Sequence, residues 1–360
     1  MAHFEGGSFL KTEHHTLLIP KNHFVSLEMF RSEPLLNWTF TESVLFTAYD
    51  VFRSQDFWIN EVISSGSTIK ERLTQEGFPK QVSIVVDTGI FEIEAKKAGM
   101  SEKLGIEVNY NLSNDEIKWA YQLAGCDFFV VPDQIILPTD TEVESERKLE
   151  MMRENLLDFE RDFPTEKLIA VLQGRNDRQI SDLFEFYIDH GIRRFAAGGI
   201  IPLWKYDKNQ YHERLLYLRK ITEGNSLHIF GLPKLSLLHL YKTEYHADSI
   251  DTSILIYLTA QRKYVVGNHL IPIRLANFEA CDCQGCENIK LSVNPRTMEF
   301  FVNLYIHNVI EAQQLCNGNS RDDDPRIKKE KHDSSIYRDM RKDVEEEHRG
   351  WYTADGNSLN

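Results

Sequence analysis

From about residue 80 onward the chain alternates between short apolar runs and longer stretches whose apolar residues recur every three or four positions. VSIVVDTG reads as a buried strand. SNDEIKWAYQLAG, further along, reads as a helix, with Ser113 and Glu116 spaced as a capping box and Gly125 placed to stop it. CDFFVVPDQ is a second apolar strand. ESERKLEMMRENLLDFERDF is a second helix, with Leu149, Met152, Leu156 and Phe159 on one face. The alternation continues through LIAVLQG, DRQISDLFEFYIDHG, RFAAGGI, a polar-faced helix around HERLLYLRK, LHIFGL and KLSLLHLYKTEYH, with DSIDTSILIYL after it.

Strands that are apolar throughout must be covered on both faces, and their alternation with amphipathic helices marks parallel βα units. Upstream, HTLLIP and SVLFTAYDVF supply candidate earlier strands. The count then reaches about eight, which predicts an α/β fold, a (β/α)8 TIM barrel. A doubly wound open sheet is the rival arrangement. No glycine-rich dinucleotide fingerprint follows a strand to support it.

Composition narrows the classes. The chain has 360 residues, 42% of them hydrophobic, enough for a large core or two domains. The net charge of −14 argues against broad adhesion to nucleic acid, although a sum says nothing of a local basic groove. No apolar run approaches the length of a membrane span, and MAHFEGGSFLKTEHH lacks the pattern of a signal peptide. No membrane partner and a cytoplasmic location are expected.

The predicted strands finish on Asp87, Asp133, Gln173, Gly198 with Gly199, Gly231 and Asp251. In a parallel barrel such ends meet on one rim, where ligands bind. Taken singly, each is as readily a helix cap or a turn residue. Together they form a candidate site in which carboxylates supply acid–base and nucleophilic groups and Gln173 both donates and accepts hydrogen bonds.

A second constellation lies near the C-terminus. CDCQGC sets Cys281, Cys283 and Cys286 in a Cys-x-Cys-x-x-Cys knot, and TMEFFVNLYIHNVIEAQQL reads as a helix carrying His307. Three thiolates and one imidazole fill a tetrahedral site with no position left for water. A bound Zn2+ is therefore expected to be structural. His307 alone would read as a core histidine; the cysteine spacing singles it out. Cys126 and Cys316 read as ordinary thiols.

Together these motifs resemble the tRNA-guanine transglycosylase family. VVDTGIFE is similar to that family's Asp-Ser-Gly-Gly-aromatic-Gln block, VLQGRND to its Gln-Gly block and FAAGGI to its Gly-Gly block. HADSIDTSILIYLTAQRKY is similar to the archaeal-type block with the nucleophilic aspartate, and CDCQGC with the pair His307 and Asn308 matches the zinc motif. The blocks follow the family's order between about residues 80 and 316. The resemblance implies a barrel with an inserted zinc-binding subdomain. Residues 1–80 would be a diverged first part of the barrel and 81–275 the barrel with catalytic strand ends. Residues 276–318 would be the zinc subdomain and helix, and 319–360 a charged tail.

The resemblance also implies an activity. Guanine in a nucleic acid is exchanged for a 7-deazaguanine base such as preQ0, through a covalent aspartyl–sugar intermediate. Position by position, Asp251 would be the nucleophile and Asp87 the general acid/base. Asp133 and Gln173 would read the base edge, Gly198 and Gly199 would present backbone, Thr88 would shape the pocket, and Phe91 and Phe230 would sandwich the base. Two positions depart from the block: Ile90 replaces a glycine and Glu92 a glutamine. The N-terminal part matches no block and no RNA-binding module follows the zinc motif, which favours DNA over tRNA as the polymer. A homodimer or a partner subunit is compatible with either. A catalytically silent paralogue acting as a binding subunit is the alternative from another class; the pair Asp87 and Asp251 argues against it. A metal-dependent barrel hydrolase is disfavoured because the strand ends carry no histidine ligands and the cysteine site looks saturated.

Overall fold

The computed structural model describes residues 16–20, 43–53, 62–75, 80–81, 83–89, 112–252, 254–291, 294–316, 326 and 338–339. They divide between two compact units: residues 1–231 with 247–252, and residues 232–246 with 253–360.

The first unit is built on a parallel sheet. Seven strands follow one another in order: β2 (Ser43–Thr47), β3 (Ser83–Asp87), β4 (Phe128–Val130), β5 (Leu168–Leu172), β6 (Arg194–Ala197), β7 (Ser226–Ile229) and β8 (Ser249–Asp251). They curl the sheet nearly into a barrel. The backbone of β1 (Thr16–Pro20) runs parallel to both edges, with Ile19 opposite Val44 on β2 and Leu17 opposite Ile250 on β8. Every strand pair in this sheet is parallel, so all strand ends share one rim. The apolar runs of the sequence are buried as expected, with Ile84, Val85, Val86, Ile169, Ala170 and Val171 all at 1% exposure or less.

The helices form for local reasons. Helix Asn114–Ala124 starts at a capping box made by Ser113 and Glu116 and stops at Gly125, which is left-handed. Helix Glu142–Phe159 repeats the box with Thr141 and Glu144, and buries Leu149, Met152, Leu156 and Phe159 completely. The rings of Tyr121, Phe129, Phe159 and Phe163 pack against one another in tilted and edge-on pairs, with centroids 4.4 to 6.1 Å apart. Each buried ring contributes about 1.5–3 kcal/mol.

Two aspartates seal the opposite rim. Asp127, just before β4, accepts the Ile84 N–H at 2.8 Å and pairs with Lys70. Asp248, just before β8, does the same with the Leu227 N–H at 2.9 Å and with Arg219. Both strand-start carboxylates are thus held by a backbone N–H and a cation, on the rim opposite the strand ends.

The second unit carries the hairpin of β9 (Lys263–Val266) and β10 (His269–Pro272), followed by helices Gln284–Leu291 and Met298–Cys316. Its core joins Tyr264, Val266, Ile271, Cys281, Cys286, Phe300 and Leu304. Among the described residues no helix is long and apolar enough to cross a membrane.

Candidate functional site

Three of the strand-end groups are locked together on the rim of the first unit. Gln173, 2% exposed just past β5, donates from Nε2 to Asp133 Oδ2 at 2.6 Å and accepts the Ile136 N–H on Oε1 at 3.0 Å. Its amide orientation is therefore fixed by partners at both ends. Gly198 and Gly199 form the floor. A Cβ on Gly198 would sit 2.4 Å from Val171 Cγ1 and 3.3 Å from Asp133 Oδ2. One on Gly199, whose φ is +66°, would sit 2.8 Å from Gln173 Oε1. Only glycine lets the backbone approach the amide and the carboxylate this closely.

Beside this group lies a cavity of about 230 Å³, lined by Gln173, Gly198, Gly199, Ile136, Leu203 and Arg214 among others. That is below the roughly 300 Å³ at which pockets for drug-sized ligands begin. Asp87 and Asp251 are not among its lining residues.

Asp251 ends β8. Its Oδ1 accepts the Gly231 N–H at 2.8 Å and lies 3.3 Å from His228 Nε2, while His228 Nδ1 lies 2.7 Å from Ser249 Oγ. Gly231 has a φ of +76°, which turns its N–H toward the carboxylate. Among the described residues, Asp251 Oδ2 has no hydrogen-bond partner. Phe230 sets its ring edge-on to His228, with centroids 4.8 Å apart, and its N–H reaches the Ala197 carbonyl, tying this cluster to the end of β6.

Asp87 ends β3 opposite Thr47, and its Oδ2 accepts the Gly89 N–H at 3.2 Å. Gly89, at φ +79°, leaves no room for a Cβ, which would come within 2.7 Å of Tyr49 Cβ. Thr88 is buried. Phe91 lies outside the described residues, as do Ile90 and Glu92.

His228 and Ser249 were not singled out by the sequence reading, and neither belongs to a set of described residues that could hold a metal ion. LHIFGL alternates, so His228 faces the same side as Phe230 and opposite to Leu227 and Ile229. The register pairs His228 with Ser249, and Ser249 precedes Asp251 by one full strand period.

In the second unit, Cys281, Cys283, Cys286 and His307 bring their ligand atoms within 4.8 Å of one another, a set that can hold a metal ion. His307 Nδ1 lies 3.7, 3.3 and 3.4 Å from the three sulfurs. Its Nε2 donates to the Val265 carbonyl at 2.7 Å, which fixes the tautomer and aims Nδ1 at the sulfurs. The ring of Tyr264 stacks on it at 3.8 Å. Asn308 anchors the helix by accepting the Val265 N–H and donating to Thr259 and the Lys263 carbonyl.

The electrostatics suit a cation. Burial pulls the His307 imidazole down, but hydrogen bonds with Cys281 and Cys283 outweigh it and lift it to about 9. Hydrogen bonds from Cys283 and Cys286 hold the Cys281 thiol well below its usual range, while hydrogen bonds with Cys281 and Cys283 push Cys286 up. Three adjacent sulfurs cannot all ionise without a positive charge among them.

Neither a protein-family model nor a curated protein matches this chain in sequence comparison.

Proposed function

We propose that the protein exchanges guanine in a nucleic acid, DNA in the first instance, for a 7-deazaguanine base. We take the fold as a (β/α)8 barrel completed by β1, and the Cys3His set as a structural Zn2+ site. The reduced cysteines fit a cytoplasmic setting. The observation that carries the reading is Asp251, held at the rim by one oxygen with the other open, on the same rim as the interlocked Asp133 and Gln173.

The chemistry follows from those groups. Oδ2 of Asp251 attacks C1′ of the sugar as the glycosidic bond breaks, a step suited to an oxocarbenium-like centre. Asp87 protonates the departing guanine and later takes a proton from the incoming base. Gln173 and Asp133 read the base edge, and a base that leaves their hydrogen bonds unmet is rejected. Phe230 offers an aromatic face to the base. Zn2+, when bound by Cys281, Cys283, Cys286 and His307, supplies cross-linking of the second unit and takes no part in the bond changes.

An exchange assay tests this, with radiolabelled guanine offered in parallel to duplex DNA and to tRNA. Label entering DNA is the expected result. Label entering tRNA alone reassigns the polymer and keeps the chemistry. Asp251→Asn should reduce exchange by at least about 10³-fold, as loss of a covalent nucleophile does. Exchange that survives Asp251→Asn removes this residue as the nucleophile.

A further inference from the structure

The proposed chemistry uses Asp251 but not the side chain that grips it. His228 is 2% exposed and lies between Ser249 and Asp251. A carboxylate accepts hydrogen bonds only, whereas a serine hydroxyl also donates. One neutral arrangement satisfies all three groups: Ser249 Oγ–H donates to Nδ1, and Nε2–H donates to Asp251 Oδ1. Gly231 N–H donates to the same oxygen. Oδ1 therefore has two donors, and Oδ2 has none among the described residues.

We infer that His228 is a positioning residue that commits Oδ2 of Asp251 to the sugar and holds Oδ1 as the carbonyl oxygen of the resulting ester. The inference rests on the transglycosylase reading. In the first half-reaction the Oδ2–C1′ bond forms while the C1′–N9 bond breaks, and its electron pair leaves with the purine, which is protonated. In the second, N9 of the incoming base gives up its proton and attacks C1′; the Oδ2–C1′ bond breaks and its pair returns to the carboxylate. That returning charge spreads onto Oδ1, where the His228 and Gly231 donors already point. In the first half-reaction the same donors hold a charge that is being lost, so they give no advantage there. His228 accordingly serves the breakdown of the covalent intermediate more than its formation.

Three substitutions separate the donor from the ring. His228→Leu removes the donor. His228→Gln keeps an N–H near the position of Nε2. His228→Asn keeps a partner for Ser249 but withdraws the donor from Asp251. Each variant and the wild type are assayed for steady-state exchange and for the fraction of enzyme held as a denaturant-resistant adduct with nucleic acid. His228→Leu should lower kcat by about 10²-fold, the usual effect of deleting one preorganised donor. KM for the incoming base should stay unchanged and the adduct should accumulate. Gln should restore most of kcat and Asn should not. Unchanged kcat in His228→Leu, loss of adduct, or Gln as slow as Leu overturns the inference while leaving the transglycosylase reading intact. The imidazole 15N spectrum of the wild type reads the arrangement without any activity: an Nδ1–H tautomer overturns it outright. Absence of exchange on both DNA and tRNA in the wild type is the separate outcome that removes the reading itself, and the catalytic role of His228 with it.

Discussion

At the scale of single residues, Gln173 is the group on which the proposed base recognition rests. Both ends of its amide are already engaged, with Asp133 and with the Ile136 N–H. Gly199 is what permits this. Replacing it with alanine puts a Cβ at φ +66°, which costs about 1–2 kcal/mol for an L-residue. The new methyl also lies 2.8 Å from Oε1, so the amide must turn and give up one of its two partners. Gly199→Ala should therefore lower the urea midpoint by the equivalent of about 1–3 kcal/mol. It should also weaken binding of free guanine, measured calorimetrically, by about tenfold or more. Stability that falls while guanine affinity holds would show that Gln173 does not read the base edge.

At the scale of elements, the Cys3His set depends on how closely two helices approach. A Cβ on Gly285 would sit 2.2 Å from the Asn303 carbonyl oxygen, so helices Gln284–Leu291 and Met298–Cys316 touch backbone to backbone beside Cys286. The cysteines of this protein then fall into an order of protection. Burial pushes the Cys316 thiol up to about 12 and Cys126 well above its usual range, so neither offers thiolate at pH 8. Chelator treatment followed by pulsed alkylation and peptide mapping should label Cys281, Cys283 and Cys286 first. Cys316 should follow as its helix loosens, and Cys126, in the first unit, should come last. Labelling of Cys126 ahead of the cluster would contradict this order.

What was legible in the sequence also sorts by element. Capping boxes at Ser113–Glu116 and the buried face of Leu149, Met152, Leu156 and Phe159 are local patterns, and the structure contains them. So is the Cys3His spacing, because its cysteines lie within one short loop and helix start. His228 was hidden because its meaning comes from the next strand: only the parallel register of β7 and β8 sets it beside Ser249 and Asp251. The β9–β10 hairpin was missed although its signal was present, a Gly267–Asn268 link between apolar runs. In DSIDTSILIYL Ser249–Asp251 is strand, and Ile254–Ala260 is helix despite its β-branched residues. Tertiary packing outweighs so weak a local preference.

At the scale of the whole molecule, the proposed substrate and the protein have the same sign of charge. Lysines and arginines number 41 against 55 acidic residues. A polyanion must then be met by a few local cations. Among the described residues, Arg175, Arg178 and Arg214 lie around the rim cavity and the groove beside it. None is idle. Arg175 pairs with Glu142 at 3.2 Å, Arg178 reaches Glu142 and Glu146 at 3.9 and 3.7 Å, and Arg214 donates to the Gly174 and Arg175 carbonyls. Each phosphate contact made here replaces an internal partner, and the gain per contact is correspondingly small. Three such contacts on duplex DNA set a slope of log K against log salt of about −3, and internal competition makes it shallower. Fluorescence anisotropy between about 50 and 200 mM salt measures it directly. A slope of about −6 or steeper would require a basic face elsewhere in the chain. A shallow slope means that the phosphate backbone contributes little to selecting the target. The guanine must then be chosen by the base pocket itself, and affinity for random duplex should be weak at every salt concentration tested.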